Sequence, residues 1–134
     1  MIGNSLRELD RFLNVLIDEV AAAIEPSGLD RVAFAQQRNT ANKLRTIRTV
    51  MALPSPDDRR LRAIGRDRDC LFHCAEIRRY GDRRTARQTA MLPRRLAHAE
   101  RLTPDLHQLR DYCRLYDRIV AELVAACAEH LRTR

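Results

Sequence analysis

Arg68, Asp69 and His73, inside the run Arg68-Asp69-Cys70-Leu71-Phe72-His73, are the residues whose types and spacing could do chemistry. Asp69 and His73 are four apart, which on a helix puts them on one face, with the carboxylate in reach of one imidazole nitrogen. Such a hydrogen bond fixes the ring tautomer and raises its basicity, as an acid/base histidine requires. An ordinary exposed i,i+4 pair has the same spacing. Cys70, His73 and Cys74 offer a different chemistry, because i, i+3 and i+4 fall within about 100° of one helix face. A soft metal could take three ligands there, with Cys113 or His107 completing a tetrahedron. Three ligands from one helical turn is an unusual zinc geometry, and buried structural cysteines account for the same pattern, so no metal or other cofactor is expected. The chain carries no glycine-rich phosphate loop, no Ser-His-Asp order and no second pair of catalytic carboxylates.

Helices must position these groups. Ala, Leu, Arg and Glu dominate a chain with 4 Gly, 5 Pro and 4% aromatic residues, so strands are poorly supplied and the fold class expected is all-α. A length of 134 residues suits one domain, 1–134, with one core. Asn4 or Ser5 caps a first helix, Glu8 completes a capping box, and Leu6, Leu9, Phe12, Leu13, Leu16, Ile17, Val20 and Ile24 recur at helical spacing to about Glu25. Pro26, Ser27 and Gly28 end it. A second periodic stretch runs through Val32, Phe34, Ala41, Leu44, Ile47, Val50 and Met51, stopping before Pro54. Pro56, Asp57 and Asp58 suit the start of a third helix, which reaches Tyr80. Gly81 to Gln88 reads as a connector, and Met91 to Leu102 as a short amphipathic piece interrupted by Pro93. Thr103 and Pro104 then open a last helix through Leu106, Leu109, Cys113, Tyr116, Val120, Leu123, Val124 and Cys127. The expectation is an antiparallel bundle of about four long helices, with a short extra helix before the last.

The third helix breaks its own pattern. Its apolar stripe reads Leu61, Ile64, Gly65, Leu71, Phe72 and Ala75, and Arg68 stands where an apolar residue belongs. A charge at a packed seam costs several kcal/mol (about 3–5) unless it is paired, reaches solvent or meets a polyanion. Pairing with Asp67 or Asp117 is one explanation; a functional partner is the other.

The spacing of Arg68, Asp69 and His73 resembles the Arg-x(4 to 6)-His signature of the HEPN superfamily, helical-bundle domains of many toxin and antiviral ribonucleases, where the residue after Arg is usually Asn, Asp or His. The order of helices also resembles that family over the whole chain, although only these three residues carry the likeness by identity. Five residues on an ideal helix rotate by about 140° and rise about 7.5 Å, so Arg68 and His73 of one chain diverge. A two-fold dimer solves this by bringing Arg68 of one subunit to His73 of the other. The resemblance implies such a composite site, a metal-independent endonuclease reaction on RNA and a product with a 2′,3′-cyclic phosphate. Cleavage by the strand's own 2′-hydroxyl needs a base, an acid and cations on the phosphorane. His73 supplies proton transfer, Arg68 grips the phosphate bidentately and Asp69 orients the histidine.

RNA binding is expected from Arg66, Arg78, Arg79, Arg83 and Arg84, in a region where the stretch from Arg78 to Arg95 has seven arginines against Asp82 alone. A solvated loop of a basic protein reads the same way. A net charge of +7 and a pI near 10.0 favour polyanionic partners, while the single lysine, Lys43, among 25 basic residues also fits an arginine-rich genome. No membrane span or leader is legible, and four cysteines inside helical patterns argue for reduced thiols, so a cytoplasmic location is expected. The expected partners are a second copy of the chain, RNA and a cognate protein. The competing function is non-enzymatic: an inactive HEPN-like or other helical dimerisation module, RNA-binding or of antitoxin type.

Overall fold

A computed structural model of the chain describes residues 2–25, 28–80 and 106–133, with side chains for 4–25, 28–69 and 106–133. The expected connector at Gly81 to Gln88, the short piece at Met91 to Leu102 and the Thr103-Pro104 opening of the last helix lie outside these residues. The elements are α1 (Ile2–Ile24), α2 (Arg31–Gln36), α3 (Thr40–Val50), α4 (Asp58–Tyr80) and α5 (Leu106–Arg132). The described residues contain no strand, as the composition requires of an all-α chain. Among them, no helix is long and apolar enough to cross a membrane.

α1 is the hub. It packs on α3, α4 and α5, because the stripe Leu6, Leu13, Ile17, Val20, Ala21 and Ile24 is wide enough to face several neighbours and is buried along its whole length. Phe34, Ala41, Leu44 and Ile47 meet it from α2 and α3, Leu61 and Ile64 from α4, and Leu115, Tyr116, Ile119 and Leu123 from α5. Each fully buried Leu, Ile or Phe in this set contributes about 1.5–3 kcal/mol of transfer free energy.

The second expected helix is two helices. Asp30 caps α2 by accepting from the amides of Val32 and Ala33, each at 3.0 Å. The chain then leaves helical geometry at Gln37, with φ −66° and ψ 117°, and Asn39 caps α3 by accepting from the Asn42 amide at 3.2 Å. The Asn39 amide group gives the backbone a local alternative to continuing the helix, and the resulting bend lets Phe34 and Leu44 both reach the core. At the other turn Asp58 sits in the first turn of α4, and the Leu61 amide bonds the Asp57 carbonyl at 2.9 Å, so the acidic start read from the sequence is in place.

Candidate functional site

Arg68 follows Leu61 and Ile64 on the stripe of α4 that faces α1, and there it meets a carboxylate. Its guanidinium is ion-paired to Asp10 of α1, and its Nε and a terminal nitrogen also donate to Asp69 at 2.9 and 2.8 Å. The partner inside the chain is therefore Asp10, with Asp69, rather than Asp67 or Asp117. Burial works against the charge of Arg68, but Asp10 and Asp69 outweigh it and raise its pKa above the ordinary arginine value.

Asp10 is the centre of a polar seam running between α1 and α3. It accepts from the Thr40 hydroxyl at 2.9 Å and from the buried Tyr116 hydroxyl of α5. Burial, with the charge of Asp10, pushes the Tyr116 phenol far above the usual tyrosine range. Asn14 donates to Thr40 at 3.1 Å and accepts from Lys43 at 3.0 Å, and Lys43 reaches Asp18 at 2.7 Å. Asp10, Asn14 and Asp18 are spaced four apart, so one face of α1 presents three acceptors in a row to α3. Lys43 is 2% exposed and lies 5.3 Å from the centroid of the Phe34 ring, so the one lysine of the chain is a core residue. Its rarity among so many arginines was the only signal in the sequence that this position differs.

A second buried cation lies at the opposite end of α3. Arg48, also 2% exposed, forks onto both carboxylate oxygens of Asp57 and donates to Glu122 of α5 at 3.0 and 2.6 Å. Burial raises the pKa of the Asp57 carboxyl, but the hydrogen bonds and charge of Arg48 outweigh it, and the result lies below the ordinary value. Nothing in local spacing pointed to this triad, since Glu122 is 74 residues from Arg48.

Beside Arg68 a cleft of about 280 Å³ opens between the start of α3 and the middle of α4. Of the expected site residues it gathers Arg66, Arg68 and Asp69, and it adds Arg38, Asn39 and Arg62, which no motif had singled out. Arg62 is held by Asp58 at 2.9 Å and by Asn42 at 2.7 Å. Asp69 is exposed and engaged with Arg68. His73, Arg78 and Arg79 belong to α4, with side chains outside those described, and Arg83 and Arg84 lie outside the described residues altogether. Along the helix Arg62, Arg66, Asp69 and His73 occupy i, i+4, i+7 and i+11, a single stripe about 60° wide. Of the groups considered for a metal, His107 is exposed and 3.5 Å from Asp111, and Cys113 is exposed, while Cys70, His73 and Cys74 have undescribed side chains. No family model matches the chain, and no curated protein or solved structure is significantly similar to it.

Proposed function

We propose that the chain is a HEPN-like, metal-independent RNA endonuclease, an antiparallel helical bundle that works as a homodimer with a composite site between two copies of α4. The observation that supports this reading best is the cleft, where Arg66, Arg68 and Asp69 stand together at the end of a stripe that leads along α4 to His73. In this reading His73 moves the protons of the transesterification, Arg68 of the other subunit neutralises the phosphorane, and Asp69 positions these groups. Asp10 holds the Arg68 side chain in a defined place, which preorganises the cation at the cost of part of its charge.

That same contact favours a second reading. An arginine shared by two carboxylates has less charge to give a phosphate, as expected of an inactive HEPN-like module that binds RNA or a cognate protein instead. Incubation of purified protein with RNA in chelator separates the two. Under the nuclease reading wild type cleaves, leaving 2′,3′-cyclic phosphate ends, His73→Ala is at least about a hundredfold slower, and Arg68→Lys is impaired while folded. Cleavage unchanged in both variants, or no cleavage by any of the three, overturns the nuclease reading.

A further inference from the structure

Arg38 and Arg66 in the cleft are exposed and carry no ion pair among the described residues, in contrast to Arg62 and Arg68 beside them, each of which has its own carboxylate. Arg38 comes from the joint between α2 and α3 and Arg66 from α4, so the bend that splits the expected second helix is what brings the two segments to one cleft. Gly65 lies in the same wall. A glycine inside a helix costs about 1 kcal/mol relative to alanine, and it is normally kept where a neighbour crowds the backbone. Here a Cβ would meet nothing within 4 Å among the described residues, so none of them explains the glycine by crowding. The free space over Gly65 opens on the cleft, beside two guanidinium groups that have no ion pair among the described residues.

We propose that this cleft is a phosphate subsite for single-stranded RNA, in which Arg38 and Arg66 grip one backbone phosphate and Gly65 leaves room for its oxygens. The identity of the ligand as RNA rests on the nuclease reading; the phosphate chemistry rests on the cleft itself. Arginine pairs suit phosphate because their planar forks bond two oxygens at once. From Arg66 to His73 the helix rises about 10.5 Å, roughly the length of three stacked nucleotides at about 3.4 Å each. A phosphate seated in the cleft therefore anchors a strand whose neighbouring nucleotides run along the α4 stripe towards His73, apart from the phosphate at which the strand is cut.

The test is a fluorescence-anisotropy titration of a short 2′-O-methyl RNA strand, which binds but lacks the attacking hydroxyl. Arg38→Gln/Arg66→Gln is expected to bind about tenfold more weakly than wild type at about 50 mM salt, with a log–log salt slope shallower by about 0.7, the value for one phosphate on a single strand. Gly65→Leu, which fills the open space with a better helix former, is expected to weaken binding several-fold with no loss of melting temperature. Arg31→Gln/Arg45→Gln removes the same charge elsewhere, Arg45 lining a separate hollow with Gly28 and Leu29, and is expected to stay within twofold of wild type. Cleft variants within twofold of wild type, a control pair that loses as much, or no binding by wild type overturns the subsite. A parallel assay on cleavable RNA distinguishes the two readings: a protein that binds through the cleft but never cuts loses the nuclease reading and keeps the subsite.

Discussion

Replacing Asp57 by asparagine tests how far α3 is secured by a buried charge. Arg48 and Asp57 expose only 2% and 5% of their side chains, so the pair exchanges with little water. Removing one partner of a buried ion pair costs about 3–5 kcal/mol, because the remaining charge stays desolvated. Glu122 is 28% exposed and keeps its two bonds to Arg48, and the introduced side-chain amide retains one acceptor, so the lower end applies, about 3 kcal/mol. For a domain of this size that is a fall in melting temperature of about 10 °C. The acid dependence follows from the depressed carboxyl. A folded pKa below the ordinary 3.8 means that Asp57 stabilises the protein fully above that value and loses its contribution as pH falls through the lower, folded value. The difference between wild type and Asp57→Asn is therefore largest at neutral pH and shrinks below about pH 4. Urea unfolding followed by circular dichroism at neutral and acid pH measures both quantities. A cost under about 1 kcal/mol at neutral pH, or one that persists undiminished in acid, refutes the reasoning.

Two further substitutions probe the other charged contacts by the same unfolding assay. Lys43→Met keeps the stem and removes the ammonium, and because Asp18 is 45% exposed and can rehydrate, the loss should stay within about 1.5 kcal/mol, whereas Lys43→Ala leaves a cavity worth about 2–4 kcal/mol; equal losses refute the claim that packing dominates at this site. Arg68→Ala strips Asp10 of its cation while Thr40 and Tyr116 still donate to it, a cost of about 1–2 kcal/mol that Arg68→Lys should partly restore, and wild-type stability in Arg68→Ala refutes the contact.

What could be read in advance divides along physical lines. α1 was legible because a long stripe of large apolar residues at helical spacing has one interpretation: Leu6, Leu13, Ile17, Val20 and Ile24 are buried and Leu9 and Leu16 half-buried, while Phe12, read into the same stripe, is exposed at its edge. The break between α2 and α3 was not, because Phe34, Ala41 and Leu44 keep an apolar rhythm across it and only the capping habit of Asn39 opposes that rhythm. Arg68 was recognised as a violation of the stripe, but its partner is 58 positions earlier, and pattern along one helix says nothing of what faces it. The cleft depends on the same missing knowledge: Arg38 and Arg66 belong to different segments, and only the bend at 37–39 relates them. Arg48 illustrates the limit most clearly, as a residue whose charge marks it for the surface and whose bonds to Asp57 and Glu122 take it into the interior.

The burial of Lys43 has a practical consequence for anyone handling this protein. Acylating reagents and aldehyde cross-linkers attack side-chain amines, and the chain holds one, sealed under Phe34 and tied to Asn14 and Asp18. Its acylation must await separation of α1 from α3, so the rate at which that single amine is modified is a clock for the opening of this seam, legible by mass spectrometry on the native molecule.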